Sequence, residues 1–231
     1  MRIRNSFTAL SCLALVGVAG CADPPNLYGD SRVVTTSPGN TTEAPKPDLA
    51  MDTYPEGPYG NQTGDTFFDL DNPGYRLTPE HTDTTSVTWE DSITLSSLRS
   101  AHPTAKCILI SLGASWCGAC RQEQSSLPDA IAAQDPASEK IAVYHILMEG
   151  MQNGSNKVTK DDVDAWISDF HQTFPTVMSK NNIHQKIWQG WDTNGTIGLP
   201  FNLLVDRKTM AVKGHLADAT FDGAVKMCEA P

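Results

Sequence analysis

An α/β domain with a central mixed sheet flanked by helices is predicted by three observations on this sequence. Two short apolar runs, 107–112 and 141–148, have the length and composition of buried strands. A helical pattern follows each of them, over 117–133 and 160–171. Two adjacent strand-like segments, 201–206 and 210–215, then lead into a last helix over about 220–229. A β-α-β-α start followed by a hairpin and a helix buries its apolar faces as a sheet covered on both sides.

The chain opens with Arg2 and Arg4, an apolar stretch over 9–19, and Cys21, which together read as an export signal over residues 1–20 rather than part of a domain. Val18-Ala19-Gly20-Cys21 resembles a bacterial lipobox, which implies lipid on Cys21 and an extracytoplasmic anchor on the periplasmic side of a bacterial membrane. Ala22, in place of a retaining aspartate, favours the outer membrane in a host that has one. Residues 21–53 are rich in Pro, Thr, Ser, Gly and Asn, too polar to offset ordering entropy, and are expected to be a flexible tether. The folded domain is expected over 54–231, starting in the turn-forming run 54–60.

Inside the domain, 66–70 and 86–89 read as strands separated by a turn at Asn72-Pro73-Gly74, and 93–99 as a short helix. Thr159 and Asp162 have capping-box spacing, and Val163, Trp166, Ile167 and Phe170 after them share one helical face. Residues 182–188 read as one more short helix.

Composition narrows the function. A formal charge of −10 lacks the clustered cations that nucleic acid requires, and no apolar run is long enough to span a bilayer. Of the six cysteines, Cys12 leaves with the signal and Cys21 is assigned to lipid. Cys107, Cys117, Cys120 and Cys228 remain, and an exported compartment permits disulfides among them. The two-residue gap makes Cys117 and Cys120 the natural pair. Cys107 opens a core strand and Cys228 lies on the apolar stripe of the last helix, so both are read as small buried hydrophobes, with a bond between them as the alternative.

A cysteine where a strand hands over to a helix faces unpaired backbone N–H groups and the positive end of the helix dipole, which favour its thiolate. In such motifs the thiol pKa falls to roughly 3.5–7.5. A second cysteine three residues on closes a disulfide without backbone movement. Cys117 is thus the attacking sulfur and Cys120 the resolving one. Zinc would need two more ligands, and no histidine pair stands near; haem attachment would need His where Arg121 stands. A purely structural disulfide is the remaining alternative. No metal or cofactor is implied.

Trp116-Cys117-Gly118-Ala119-Cys120, the approach Ile93-Thr94-Leu95-Ser96-Ser97-Leu98, and Gly198-Leu199-Pro200 before a strand resemble, in that order, the TlpA/ResA-like extracytoplasmic branch of the thioredoxin superfamily. The resemblance runs loosely over 60–231. It implies a thioredoxin-like fold, a thiol-disulfide oxidoreductase acting on protein thiols or disulfides with a separate electron donor, and a cis proline at Pro200. It also implies substrate contacts by Trp116, Leu199 and Pro200, and an acid at Glu123 that moves protons for Cys120. Helical spacing independently puts Glu123 on the face of Cys120, Leu127 and Ile131, where burial would raise its pKa; a solvated glutamate is the alternative. Gly113 and Ala119 depart from the branch, which leaves redox potential, direction and substrate open, and Gly113 suggests a groove beside the active site that is wider or differently lined. Two rival functions are a peroxiredoxin-like peroxide reductase, whose Pro and Thr are missing from 110–117, and a non-catalytic binding module. His145 reads as a packed or edge histidine, and Trp188 and Trp191 as either groove walls or core cover.

Overall fold

The structure is a computed structural model that describes residues 53–149, 157–191, 197–216 and 220–230. The export segment, Cys21 and the tether as far as residue 52 lie outside the described residues.

Nine strands and five helices follow in the order β1 (Tyr59–Gly60), β2 (Thr66–Phe67), β3 (Asp71–Tyr75), β4 (Trp89–Thr94), α1 (Leu95–Ala101), β5 (Cys107–Ala114), α2 (Gly118–Gln134), β6 (Ile141–Glu149), α3 (Lys160–Phe170), β7 (Thr176–Met178), α4 (Ile183–Trp188), β8 (Phe201–Asp206), β9 (Val212–Leu216) and α5 (Phe221–Glu229) among the described residues. Seven strands form one mixed sheet in the order β4-β3-β7-β6-β5-β8-β9. β5, β6 and β7 are parallel; β8 and β9 return antiparallel on one side, and β3 and β4 on the other.

The central strands β5 and β6 are apolar on both faces because both are covered. On one face Cys107, Leu109, Ile141, Val143, Leu204 and Leu216 pack under Leu127 and Ile131 of α2 and Phe221, Ala224 and Val225 of α5. On the other, Ile108, Ile110, Ala142 and Tyr144 meet Leu95 and Leu98 of α1. The Tyr144 hydroxyl donates to the Ile93 carbonyl at 2.6 Å, which ties β6 to the chain entering α1.

The expected turn at Asn72-Pro73-Gly74 is instead the middle of β3. The β3–β4 register shifts between Asn72 and Gly74, so Pro73 sits at a bulge where its missing N–H costs no ladder bond. Gly74 is required there, since a Cβ would collide with the Thr176 carbonyl and Val177 of β7. The strand expected at 86–89 begins where that segment was to end, at Trp89, and runs to Thr94. Only Ile93 of β4 is buried, so this edge strand has no apolar alternation to betray it. Thr94 then caps α1 in a capping box with Ser97, and the helix starts at Leu95 rather than Ile93. The last strand begins at Val212, two residues later than expected, because Met210 has a left-handed φ of 55°.

Cys107 and Cys228 are not free packed thiols: they form a disulfide with Cα atoms 6.0 Å apart, joining the first residue of β5 to α5 across 121 residues of chain. Their burial, read as hydrophobic packing, is the packing of the bridge.

Candidate active site

β5 ends at Ala114, and Ser115 and Trp116 carry the chain to Cys117, the N-cap of α2. Cys117 has the extended backbone of a cap, φ −81° and ψ 110°, and its sulfur accepts the Cys120 backbone N–H at 3.1 Å. A sulfur therefore does what a serine or aspartate oxygen usually does at this position, satisfying an orphan donor of the first turn. Any negative charge on that sulfur gains from the same N–H and from the helix dipole. Cys117 is disulfide-bonded to Cys120, with Cα atoms 5.3 Å apart. Cys117 keeps 6% of its surface in solvent and Cys120 none.

Trp116 is 56% exposed, an unusual position for a large apolar ring. Its Nε1 donates to Oε2 of Glu149 at 2.8 Å, and the Ser115 N–H donates to the Glu149 carbonyl at 3.0 Å, so the end of β6 holds the ring beside the cysteines. A cleft of about 520 Å³ opens next to it, between Arg121 of α2 and Asp161 and Asp169 of α3. Leu199 and Pro200, half-buried, are joined by a cis peptide bond immediately before β8. Phe201 pairs with Leu112 near the end of β5, so the proline lies at the end of the sheet from which Cys117 emerges.

Glu123 is one turn beyond Cys120 and mostly buried. Burial pushes its carboxyl up to about 7, against the opposing pull of a hydrogen bond from Asn202. That bond runs from Nδ2 of Asn202 to Oε1 at 3.0 Å. Oε2 of Glu123 and Oδ1 of Asn202 are both buried without a partner. Two acceptors left over on one carboxyl–amide pair are what a carboxylic acid satisfies, its O–H returning to the amide oxygen. Glu123 also lines a cleft of about 200 Å³ shared with Ser126 and Thr220.

A row of polar side chains under α2 escaped the sequence reading. Thr176, His145, Ser111 and Asn202 are successive cross-strand partners on β7, β6, β5 and β8, and all four are buried. Buried glutamines answer them: Nε2 of Gln124 donates to Ser111 at 3.4 Å, and Nε2 of Gln172 donates to Oε1 of Gln124 at 2.9 Å. The signal was available in Ser111 and His145, the polar interruptions of two otherwise apolar strands at in-phase positions.

His145 lies at the centre of the sheet, stacked on Trp166 at 5.6 Å, and burial pushes its pKa down to about 3. Gly113 does not widen an outer groove. Alternation along β5 aims its missing side chain inward, where a Cβ would lie 3.2 Å from Cε1 of His145 and 3.4 Å from Cβ of Cys120. Trp188 and Trp191 cover the core, Trp191 donating to the Asn61 carbonyl at 2.8 Å. Among the described residues no cluster of three His, Cys, Asp or Glu side chains offers a metal site.

The structure thus brings Cys117, Cys120, Trp116 and Glu123 together at the start of α2 and sets Leu199 and Pro200 at the same end of the sheet. Cys21 lies outside the described residues.

No family model matches the chain, and no curated protein matches it. Among solved structures it is similar to the thioredoxin domain of a thiol-disulfide oxidoreductase from Bacteroides vulgatus, at 14% identity over 73% of this chain and 96% of that one, with a TM-score of 0.46. A thiol-disulfide oxidoreductase from Bacteroides fragilis gives 12% identity, 71% and 98% coverage and a TM-score of 0.45. A thioredoxin family thiol:disulfide interchange protein from Chlorobium tepidum gives 17%, 68% and 93%, and 0.41. The parallel β5-α2-β6 unit, the antiparallel β8–β9 return beside β5 and the closing helix α5 make the fold thioredoxin-like, with a close Cys-x-x-Cys pair at its helix start.

Proposed function

We propose that this chain is an extracytoplasmic thiol-disulfide oxidoreductase that exchanges disulfides with protein thiols through Cys117 and Cys120. The observation that carries the reading is the cap of α2: the Cys117 sulfur is held by a backbone N–H on a residue that keeps 6% of its surface in solvent, with a fully buried second cysteine bonded to it. In the reducing direction the Cys117 thiolate attacks a client disulfide, forming a mixed disulfide and releasing one client thiolate. Cys120 gives its proton to the Glu123 carboxylate and attacks the Cys117 sulfur, which releases the second client thiolate and forms the Cys117–Cys120 disulfide. An external dithiol donor restores the pair. In the oxidising direction the same steps run in reverse.

Trp116, Leu199 and Pro200 are assigned to the client chain, supported by the exposed ring next to Cys117 and the half-buried turn at the same end of the sheet. Lipid on Cys21 is assigned to anchor the domain on the periplasmic face of a bacterial membrane, with Ala22 favouring the outer one. Insulin reduction with a dithiol donor, run beside peroxide consumption, tests the activity. Dithiol-dependent insulin turnover without peroxide turnover is expected. Peroxide turnover would replace the reading with a peroxidase, and neither turnover would leave a binding module. For the anchor, mass spectrometry of native protein is expected to find an acylated peptide beginning at Cys21, and an unmodified start at or beyond Ala22 would remove it.

A further inference from the structure

His145 is not used by the exchange chemistry above, yet it is a fully buried titratable ring that borders the space beside Cys120. Its surroundings favour one tautomer. The Thr176 hydroxyl lies within reach of Oε1 of Gln172 at 3.2 Å and of the Phe174 carbonyl at 3.3 Å, Gln172 donates to Oε1 of Gln124, and Gln124 donates to the Ser111 oxygen. With its oxygen taking the Gln124 N–H, the Ser111 hydroxyl can turn its proton to Nδ1 of His145 at 3.2 Å, and the pair is read in that sense. A neutral imidazole that accepts at Nδ1 carries its proton at Nε2. Deep burial keeps the ring neutral, so this assignment holds across the physiological range.

Nε2 is buried without a hydrogen-bond partner. A buried donor left unpaired is costly and calls for a cause. The cause lies in Gly113. The Cε1–Nε2 edge faces the space its side chain would fill, at 3.2 and 3.7 Å from the missing Cβ, and Cβ of Cys120 borders the same space at 3.4 Å. The ring edge and Cys120 thus border one space, and the Cys120 sulfur is bonded to Cys117.

We propose that Nε2–H of His145 is a hydrogen-bond donor for the sulfur of Cys120, unpartnered while Cys117 and Cys120 are bonded and engaged once the pair is reduced. The disulfide state bears the cost of the unpaired donor and the reduced state does not, so His145 biases the pair toward the dithiol and makes the protein a stronger oxidant. In the reduced protein the same donor favours the Cys120 thiolate from one side while Glu123 receives its proton on the other. The proposal rests on the oxidoreductase reading, in that a redox-inactive pair would have no reduced state to favour.

Two measurements test it. Equilibration of the wild type with glutathione redox buffers gives the constant between disulfide and dithiol. His145→Phe is expected to move that constant about tenfold toward the disulfide, the loss of one buried hydrogen bond, or about 30 mV for two electrons. Gly113→Ala, whose methyl fills the gap, is expected to move it the same way, and His145→Gln, which restores an N–H, to recover most of the change. Long-range 15N–1H NMR of the wild type reads the tautomer without any variant: a proton on Nε2, with the Nε2 resonance shifting when dithiothreitol reduces the pair. A proton on Nδ1, an Nε2 resonance indifferent to reduction, or an unchanged constant in both His145→Phe and Gly113→Ala would overturn the proposal. Failure of the wild type to turn over insulin would instead count against the oxidoreductase reading and leave the NMR result to stand alone.

Discussion

Asn202 donates to one oxygen of Glu123 at 3.0 Å and leaves its own carbonyl, like the second Glu123 oxygen, buried and unpaired. A protonated carboxyl completes this pair and an ionised one does not. The folded pKa of about 7 lies above the ordinary 4.5, so the folded state holds a proton that the unfolded state has lost between those values. Stability from this group is complete below about pH 4.5 and is lost as pH rises through about 7. Glu123→Gln, whose amide N–H can return to Oδ1 of Asn202, is expected to be more stable than the wild type at pH 8 by on the order of 2 kcal/mol. Urea unfolding at pH 8 and pH 4.5 checks this, and an equal midpoint at pH 8 would refute it. The same variant is expected to slow release of the mixed disulfide near neutral pH, because an amide takes no proton from Cys120.

Within the pair the roles are unequal, since only Cys117 reaches solvent and only its sulfur receives the Cys120 N–H. Cys117→Ser is expected to abolish exchange and to form no covalent client complex. Cys120→Ser is expected to retain attack and lose release, so that mixed disulfides accumulate on Cys117. Non-reducing gels of the two variants decide it. Equal trapping through Cys120 in Cys117→Ser would show the helix-start argument to be wrong.

The bridge between Cys107 and Cys228 closes a loop of 121 residues, long enough for a large loss of unfolded-state entropy. Replacing both cysteines by alanine is expected to lower stability by about 2–5 kcal/mol. Insulin reduction per folded molecule should be unchanged, since neither residue is near α2's first turn. Chemical unfolding and turnover of the double variant test both halves of the statement.

His145 acts on stability in the opposite pH direction from Glu123. Its folded pKa of about 3 lies below the ordinary 6.5, so the unfolded state binds a proton first and stability falls as pH drops through that window. The expected slope is about 1.4 kcal/mol per pH unit from this group. His145→Phe should lose that slope between pH 6.5 and 4, whatever its stability at pH 7. Denaturant midpoints across that interval would contradict the burial argument if the two slopes matched.

The central strands, α2, α3 and α5 were legible because each carries its own periodicity or capping signal. Thr159 and Asp162 do form a capping box, and Cys117 does open a helix. The edges were not. β7 is three residues long and holds no pattern, and β3 hides a proline at a bulge that sequence alone reads as a turn. Cys117, Cys120 and Glu123 could be found because their spacing along one helix sets their geometry. Asn202, Ser111, Gln124 and His145 could not be joined into one site, because what unites them is a register across strands and sequence does not state register.

The bridge from Cys107 to Cys228 also changes how the molecule bears load. If the domain is pulled through the chain on either side of these residues, tension passes across one sulfur–sulfur bond and bypasses β6, α2 and everything else between them. About 400 Å of contour length stays hidden behind that bond. The segment holding Cys117 and Cys120 is therefore mechanically isolated, and only a reductant that opens the bridge can expose it to force.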